Sequence, residues 1–343
     1  MKKFNEIFID KTKYGEKIQT SEYEKQGKHI IVDQGQAEIA GYTNREEGLF
    51  NEVPVIIFGD HTRLIKYIDE PFFLGADGVK VLRSKEKNAN YKYLYYALKS
   101  AKIPNTGYNR HFKWLKDVEI NYPDSVKQEK IVDILDRVSD VIEKRKAELS
   151  YLVTLIKARF VEMFGDPIIN SKGLETKELN EVLVLKAGDF TAASDISVEP
   201  TEINIYPCYG GNGIRGYVAE YNQEGEYSLV GRQGALSGNV QYATGKFKNT
   251  EHALLVKPII RMNSIWLNQL LLNLDLKRYQ TGAAQPGLSV KNLQDIQIIM
   301  VPIDEQRQFA AFVNEIDKSK SAVKKALDET QLLFDSLMQE YFG

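Results

Sequence analysis

The chain has 343 residues, of which 43% are hydrophobic and 27% charged, and its formal net charge is −2 at pH 7. This length suggests two domains, and the near-neutral charge excludes a uniformly polybasic nucleic-acid binder, although Lys and Arg can still gather on one face. A single cysteine, Cys208, excludes a disulfide framework and a thiolate-rich zinc site. No apolar run is long enough for a signal peptide or a membrane span, so we expect a cytoplasmic protein without a membrane partner.

The first 124 residues predict a mixed domain of helices and strands. The stretches VPVIIFG and GVKVLR have the composition of strands, and turns rich in Gly, Asn and Asp separate them. The segment YKYLYYAL, residues 91 to 98, predicts a short amphipathic helix. Because the chain starts close to IDKTKYGEK, we expect the opening strand region of this domain to be incomplete.

A long helix is predicted for residues 125–165. Its apolar residues follow alternating steps of three and four, which is the heptad pattern of a helix that packs along its length against another. The residues of this seam are Leu135, Val138, Ile142, Leu149, Leu152 and Ile156.

Residues 166–301 repeat the character of the first domain, with strands predicted at YSLVGR and HALLVK and a helix at IWLNQLLL. The stretch YGGNGIRGY contains Gly211-x-Gly213-x-x-Gly216, the glycine spacing of a dinucleotide-binding fold. That fold requires a helix directly after the glycines, whereas this chain continues with strand and turn sequence. We therefore interpret the motif as a turn, not as a nucleotide site.

A second long helix is predicted for residues 302–343, and it repeats the first. Alignment of the two segments on their shared Phe-Gly ending places Gln128 on Gln306 and Leu155 on Leu333. Two related long helices in one chain favour pairing with each other, and we expect an antiparallel coiled coil. The seam of the second helix consists of Val313, Ile316, Val323, Leu327, Phe334 and Leu337.

The repeat extends into the domains. The segment before the first long helix, HFKWLKDVEINYP, aligns with the segment before the second, SVKNLQDIQIIMVP. Further upstream, FGDHTRLIKY in the first domain occupies the position of VGRQGALSGNVQY in the second. Likewise, VDQGQAEIAGY in the first domain occupies the position of CYGGNGIRGY in the second. The predicted fold class is therefore α+β, with two mixed α/β domains separated and followed by two long helices in a pseudo-two-fold internal repeat.

Loops at equivalent positions of the two domains contain residues that suit nucleic acid. Arg and Lys can contact guanine, Asn and Gln can contact adenine, and Ser and Thr hydroxyls suit phosphate. The candidates in the first domain are His61, Thr62, Arg63, Lys66, Tyr108, Asn109, Arg110, His111 and Lys113. The candidates in the second domain are Arg215, Arg232, Gln233, Ser237, Asn239, Gln285, Ser289 and Lys291. Because the two sets differ, we predict a bipartite, asymmetric DNA site whose halves lie about one helical turn (~34–36 Å) or more apart.

The sequence contains no zinc-protease, Walker A, serine-hydrolase or EF-hand motif. Its four histidines stand apart in the sequence, with no Cys or acidic residue at ligand spacing. We therefore expect no catalytic residue, no cofactor site and no metal site in this chain, which favours a binding protein.

The order of these elements resembles the specificity (S) subunits of type I restriction–modification systems over nearly the whole chain. The resemblance rests on the block TGAAQPGLSVKNLQDIQIIMVPIDEQRQFAAFV and on its degenerate copy TGYNRHFKWLKDVEINYPDSVKQEKIVDIL. The second helix starts with Pro302, Glu305 and Gln306, whereas the first has Lys127-Gln128-Glu129 in the matching place. The motif is thus degraded in the first copy.

The resemblance implies two target-recognition domains, at 1–124 and 166–301, each of which reads one half of a split double-stranded DNA site. It further implies that the helices at 125–165 and 302–343 recruit two methyltransferase subunits. Those subunits would supply S-adenosylmethionine binding, adenine N6-methylation and base flipping, and restriction subunits, where a system has them, would supply ATP-driven translocation and cleavage.

An alternative stays open at this point: a non-catalytic coiled-coil scaffold that binds other proteins and no DNA. A steep dependence of DNA affinity on salt would separate the two hypotheses, because phosphate contacts release counterions.

Overall fold

The computed structural model describes residues 1–75, 77–282 and 286–343. They form two compact units: unit 1 combines Met1–Lys146 with Lys325–Gly343, and unit 2 consists of Ala147–Lys324. The predicted domain boundaries follow the ends of the long helices, whereas the compact units divide both helices. Each unit is therefore built from one globular domain and half of each long helix.

The described part of unit 1 contains nine strands, three short α-helices, the first part of one long helix and the last part of the other. The strands are β1 Lys2–Lys3, β2 Phe8–Asp10, β3 His29–Val32, β4 Gly41–Thr43, β5 Val55–Gly59, β6 Ile65–Ile68, β7 Phe72–Leu74, β8 Val79–Ser84 and β9 Glu119–Ile120. The helices are α1 Phe4–Ile7, α2 Tyr91–Lys99, α3 Phe112–Leu115 and the long α4, Ser125–Phe164. The strands form sheets in the orders β1-β9, β2-β8-β5-β6 and β4-β3-β7, with only the β3–β7 pair parallel among them.

The apolar run VPVIIFG contains strand β5, which is buried on both faces. Alternate side chains of a strand point to opposite faces. Ile56 and Phe58 lie in the core that includes α2, whereas Val55 and Ile57 lie in a second core with residues of β3 and β7. Both faces of β5 are therefore buried.

Unit 2 holds a larger sheet. Its strands are β10 Thr176–Glu178, β11 Leu183–Ala187, β12 Tyr206–Gly210, β13 Gly213–Val218, β14 Gln223–Gly231, β15 Val240–Asn249, β16 Ala253–Pro258 and β17 Gln297–Ile299. Its helices are α5 Leu179–Val182, α6 Ser264–Asn273 and α7 Val290–Leu293, followed by the start of the second long helix, α8, Ile303–Phe342. Six strands are ordered β11-β16-β14-β15-β12-β13, and β10 pairs with β17.

The glycine motif at 211–216 lies in the hairpin of β12 and β13, which pair antiparallel. Residues 211 and 212 form the turn, Gly213 and Gly216 lie within β13, and the next element is the strand β14, so the interpretation as a turn is confirmed. Gly213 has φ +100° and Gly216 has φ +149°, backbone conformations that glycine adopts without steric cost.

The opening region of the first domain is shorter than its counterpart, but no element of it is missing. Unit 2 opens with β10, α5 and β11, and unit 1 opens with β1, α1 and β2 in the same order. Strand β1 has 2 residues against 3 in β10, and β2 has 3 against 5 in β11. The opening strands of the first domain are thus shortened, and β1 still pairs with β9 as β10 pairs with β17.

The two long helices, each of 40 residues, are where the heptad pattern places them. In unit 1, Ile131 and Leu135 of α4 share a core with Phe334 and Met338 near the end of α8. In unit 2, Phe160 near the end of α4 packs against Phe309 near the start of α8, with ring centroids 5.4 Å apart. Early residues of one helix thus pack with late residues of the other, as an antiparallel pair requires.

All twelve residues of the predicted seams are buried or half-buried. The observed fold class is the predicted one.

None of the helices in the described ranges combines the length and the apolar composition needed to cross a membrane.

A buried glutamine lies near the start of each long helix, and in α8 it joins the helix to its domain. Gln306 is 2% exposed, its Oε1 accepts from the amide of Asn263 at 2.8 Å, and its Nε2 donates to the Val301 carbonyl at 2.8 Å. Because Asn263 is the N-cap of α6, this side chain connects two helices. Gln128 is 4% exposed and donates to the Pro123 carbonyl at 2.9 Å, a bond within its own turn.

We expect Gln306→Ala to destabilise the chain by about 2 kcal/mol, because it leaves a buried amide and a buried carbonyl without partners. Gln128→Ala should cost about half as much, since its bond is local. Urea unfolding followed by circular dichroism would measure both. Gln308→Ala, an exposed position on the same helix, is the matched control, and equal losses at 306 and 308 would contradict the assignment.

Candidate nucleic-acid interface

In unit 1, the three loops that the repeat singles out meet around Asp60 and Gln34. They are residues 33–40 between β3 and β4, 60–64 between β5 and β6, and 100–111 between α2 and α3. The Asp60 carbonyl accepts from the amide of His111 at 2.8 Å, and the Asp60 carboxylate accepts from the amide of Phe112 at 2.8 Å. Gln34 Oε1 accepts from the amide of His61 at 3.1 Å. These bonds fix the three loops to one another.

Several predicted residues of unit 1 lie on the outer side of these loops. Tyr108 is 87% exposed, and its ring stacks on His61 with centroids 4.6 Å apart and 9° between the planes. Aromatic rings held in this way can stack on nucleic-acid bases. The other exposed candidates are Thr62, Asn109, Arg110 and Lys113.

The structure places three other candidates of unit 1 in internal contacts. Lys66 is 6% exposed and His111 is 0% exposed, so neither side chain is accessible to DNA in this conformation. Burial lowers the pKa of Lys66 because it disfavours the charged ammonium. Arg63 has a left-handed φ of 62°, and its guanidinium donates to the Ile103 carbonyl at 3.3 Å. These side chains support the loops from inside, which composition and loop position did not reveal.

Cationic side chains surround the start of α3. Lys80 Nζ lies 5.0 Å and Lys116 Nζ lies 4.8 Å from the centroid of the Phe112 ring. Together with Arg110 and Lys113 they line a cavity of about 580 Å³, whose lining also includes the carboxylates of Asp60 and Asp117. Lys80 is half-buried and its ammonium lies 3.3 Å from the Asp10 carboxylate, so the exposed cations here are Arg110, Lys113 and Lys116. Lys80 and Lys116 were missed in the sequence because neither lies within the loops that the repeat singled out.

In unit 2, the equivalent loops also meet. They are the turn 211–212 between β12 and β13, residues 232–239 between β14 and β15, and the described residues 280–282 and 286–289 before α7. The amide of Leu288 donates to the Arg232 carbonyl at 2.8 Å. Asn239 Nδ2 donates to Asn212 Oδ1 at 3.1 Å. The second domain thus brings together the same three loop positions as the first.

The predicted residues of unit 2 differ in exposure. Gln233 is exposed, and its Oε1 lies 2.9 Å from Nδ1 of His252. Arg232 and Asn239 are half-buried at the base of the loop. The remaining exposed candidates are Arg215, Ser289 and Lys291.

Two predicted residues of unit 2 have local roles, and a third lies outside the described residues. Ser237 is 0% exposed, so its hydroxyl does not reach the surface. Ser289 Oγ accepts from the amide of Asn292 at 3.2 Å and thereby caps α7. Gln285 lies outside the residues that the structure describes.

Sequence reasoning missed Asp60 and His252, which organise the loops. Asp60 directly follows the buried strand β5, and an acidic residue after such a strand is a recognisable signal for a loop anchor. His252 precedes β16 and contacts Gln233 on one side and the Glu251 carboxylate, 3.1 Å away, on the other. Nothing local in the sequence connects His252 to a loop 19 residues away.

Within residues 1–75, 77–282 and 286–343, no three His, Cys, Asp or Glu side chains lie together in a way that could hold a metal ion. What the loops offer is hydrogen-bonding side chains, cations and an exposed aromatic ring. These groups suit the edges of bases and the phosphate backbone.

A family model described as the type I restriction modification DNA specificity domain matches residues 1–151 and 171–330. The chain belongs to this family. The two matched segments contain both sets of loops, so each DNA specificity domain corresponds to one of the repeats found in the sequence.

Proteins similar in sequence to this chain are described as type I specificity subunits. The specificity subunit of the Escherichia coli type I restriction enzyme EcoprrI is 37% identical over 200 residues, 57% of this chain and 50% of that protein. The match thus spans only half the length of that relative. A putative type I specificity subunit of Mycoplasma genitalium is 23% identical over 353 residues, 96% of this chain and 90% of that protein.

Solved structures show the same fold. The S subunit of a type I restriction–modification system from M. genitalium matches with a TM-score of 0.64 at 20% identity, covering 100% of this chain and 95% of that one. A second structure, which concerns complex assembly and conformational transition of a type I system, matches with a TM-score of 0.53 at 16% identity, covering 98% and 91%.

In this DNA specificity chain, Asp60→Ala should release the third loop of unit 1. The Phe112 amide loses its carboxylate acceptor, and its hydrogen-exchange protection should fall by roughly 10- to 100-fold, since such a bond contributes about 1.5–3 kcal/mol. The neighbouring amide of His111 bonds to the main-chain oxygen of residue 60 and serves as an internal control. Equal loss at both amides would show general unfolding and contradict the local role.

Proposed function

We propose that this chain is the sequence-reading subunit of a type I restriction–modification complex. Its two recognition domains each bind one half of an asymmetric, bipartite double-stranded DNA site. Its long helices recruit two adenine methyltransferase subunits, and restriction subunits join where the system includes them. The observation that carries the proposal is the convergence of three equivalent loops in each unit of a chain that belongs to the DNA specificity family.

The asymmetry of the site follows from the side chains on these loops. Unit 1 presents an aromatic ring, Tyr108, beside the cations Arg110 and Lys113. Unit 2 presents the exposed amide of Gln233 and the exposed cation Arg215, and the sequence 280–289, which stands in the place of the Tyr108 loop, contains no aromatic residue. Because base edges are distinguished by their hydrogen-bond patterns, loops of different chemistry select different half-sites.

Catalysis belongs to the partner subunits in this proposal. The methyltransferases bind S-adenosylmethionine and flip the target adenine, since chemistry on a base requires its extrusion from the duplex. This chain positions the methyltransferases on the DNA. It binds the two half-sites and thereby determines which adenines the methyltransferases reach.

The long helices offer a matched pair of contact points for the methyltransferases. Leu155 in unit 2 is 45% exposed and Leu333 in unit 1 is 51% exposed, and the repeat aligns these two residues. Each lies beside a second exposed apolar residue, Tyr151 one turn before Leu155 and Leu332 next to Leu333. Exposed apolar pairs of this kind mark protein contact sites.

Co-expression with the methyltransferase encoded beside this chain tests the proposal. Single-molecule sequencing of the host genome should show N6-methyladenine in one split motif with two unequal halves, and that methylation should disappear when this chain is omitted. A methyltransferase that modifies the same adenines without this chain would contradict the proposal and move the scaffold hypothesis to first place.

Leu155→Glu and Leu333→Glu should each remove one methyltransferase from the complex, because a buried leucine contributes about 1.5–3 kcal/mol that a carboxylate cannot replace. Native mass spectrometry would show one methyltransferase per chain for either variant and none for the double variant. Lys157→Glu, exposed on another face of the same helix as Leu155, is the control. A double variant that still binds two methyltransferases would refute these contact points.

A further inference from the structure

The loop 33–38 of unit 1, with sequence DQGQAE, is held at both ends by one buried lysine. Lys66 Nζ donates to the Asp33 carbonyl at 2.8 Å and to the Ala37 carbonyl at 2.5 Å. The Asp33 carboxylate lies 3.7 Å from the same ammonium. A single cation on β6 thus fixes the distance between the start and the end of the loop.

The middle of the loop is fixed from the other side through Gln34. Its Oε1 accepts from the amide of His61 at 3.1 Å, and its Nε2 donates to the Asp77 carbonyl at 2.9 Å. Its main-chain carbonyl accepts from Thr62 Oγ1 at 2.7 Å. Gly78, with φ +94°, leaves no room for a side chain here, since a Cβ would lie 2.5 Å from Gln34 Nε2.

This arrangement is costly and local. Burying an ammonium carries a desolvation penalty, and apolar residues of the same volume often stabilise a fold equally well. Lys66 binds two carbonyls of one surface loop and lies 3.7 Å from the Asp33 carboxylate of the same loop, so the buried charge defines the geometry of that loop. Such fixed geometry matters where a side chain must meet a partner at a set position.

The side chains that the fixed loop presents are polar. Gln36 is exposed, and it makes no hydrogen bond to any residue in the part of the chain that the structure describes. Glu38, two positions further, is also exposed. The loop contacts His61 and Thr62 through Gln34, and the His61 ring stacks on Tyr108, so Gln36 and Glu38 belong to a loop of the same cluster.

We propose that residues 33–38 form the base-reading loop of unit 1, with Gln36 and Glu38 as specificity-determining residues and Lys66 as the residue that positions them. This inference rests on the proposed function and specifies how one half-site is read. A glutamine amide can bond in bidentate fashion to the N6 and N7 atoms of adenine, and a carboxylate can accept from the N4 amino group of cytosine. The ligand is thus a half-site with adenine and cytosine at adjacent or nearly adjacent positions.

The equivalent place in unit 2 carries a different side chain. Asn212 occupies the turn between β12 and β13, and Asn239 holds it through the 3.1 Å bond. Lys66 has no counterpart there in the hydrogen bonds of the described residues of this turn. The second half-site, read by unit 2, therefore provides an internal reference in every experiment on loop 33–38.

The test uses the complete complex with its methyltransferases and the methylation map of the host genome. Gln36→Ala should reduce discrimination at one base pair of one half-site by roughly 5- to 150-fold, the range expected for a lost bidentate contact. Glu38→Ala should relax a different base pair of the same half. The second half should stay unchanged in both variants. Gln26→Ala, an exposed glutamine before the opposite end of β3, is the matched control and should leave the whole motif unchanged.

Lys66→Met tests the positioning role. It removes both bonds to the loop, and it should relax both base pairs that depend on residues 36 and 38 while the second half stays strict. A merely structural role would instead reduce methylation equally at all sites without changing the motif. That result, measured alongside the thermal stability of the complex, would overturn the role of Lys66.

An unchanged motif with Gln36→Ala and Glu38→Ala would overturn the base-reading loop and leave the proposed function intact. Relaxation of both halves would overturn it as well, because the loop would then act through the whole fold. Failure of the proposed function is a separate result: the unsubstituted complex would then show no split motif at all.

Discussion

The packing of α4 against α8 is the constraint on which each unit depends. Neither globular domain closes its core alone: the core of unit 1 contains Leu135 and Phe334, and the core of unit 2 contains Phe160 and Phe309. These pairs come from helices far apart in the sequence. Because interiors are close-packed, such a core fixes the helix halves and the domain together as one body. This packed unit in turn determines where the surface loops lie.

Buried and half-buried polar groups join the loops to one another. Asp60, Lys66 and Gln34 in unit 1 each bond to more than one loop or to both ends of one loop. Unsatisfied buried polar groups are costly, so each such group enforces the geometry that satisfies it. A recognition surface made in this way can vary its exposed side chains while its scaffold stays constant. This separation accounts for two units that share an architecture and differ in the chemistry that they present.

The comparison of candidates with structure shows where sequence reasoning about a site succeeds. Tyr108, Arg110 and Lys113 lie on the surface, as their loop position suggested, whereas Lys66, His111 and Ser237 lie inside. The residue type was suitable in every case. What differed was whether a polar side chain faces solvent or a carbonyl of a neighbouring loop, and that depends on segments tens of residues away. Lys66 is the clearest example, since its partners are Asp33 and Ala37 on another hairpin.

The sequence by itself determined the periodic and repeated features: the two 40-residue helices, the apolar seams, the internal repeat and the turn at the glycine motif. These follow from local rules, since a helix or a strand requires a periodic pattern along the chain alone. Only the tertiary structure decided how the helices are divided between the two units, which loop side chains are exposed, and that Gln36 stands on a loop fixed by Lys66. These properties depend on contacts between distant segments, and such contacts leave no periodic trace in the sequence of either partner.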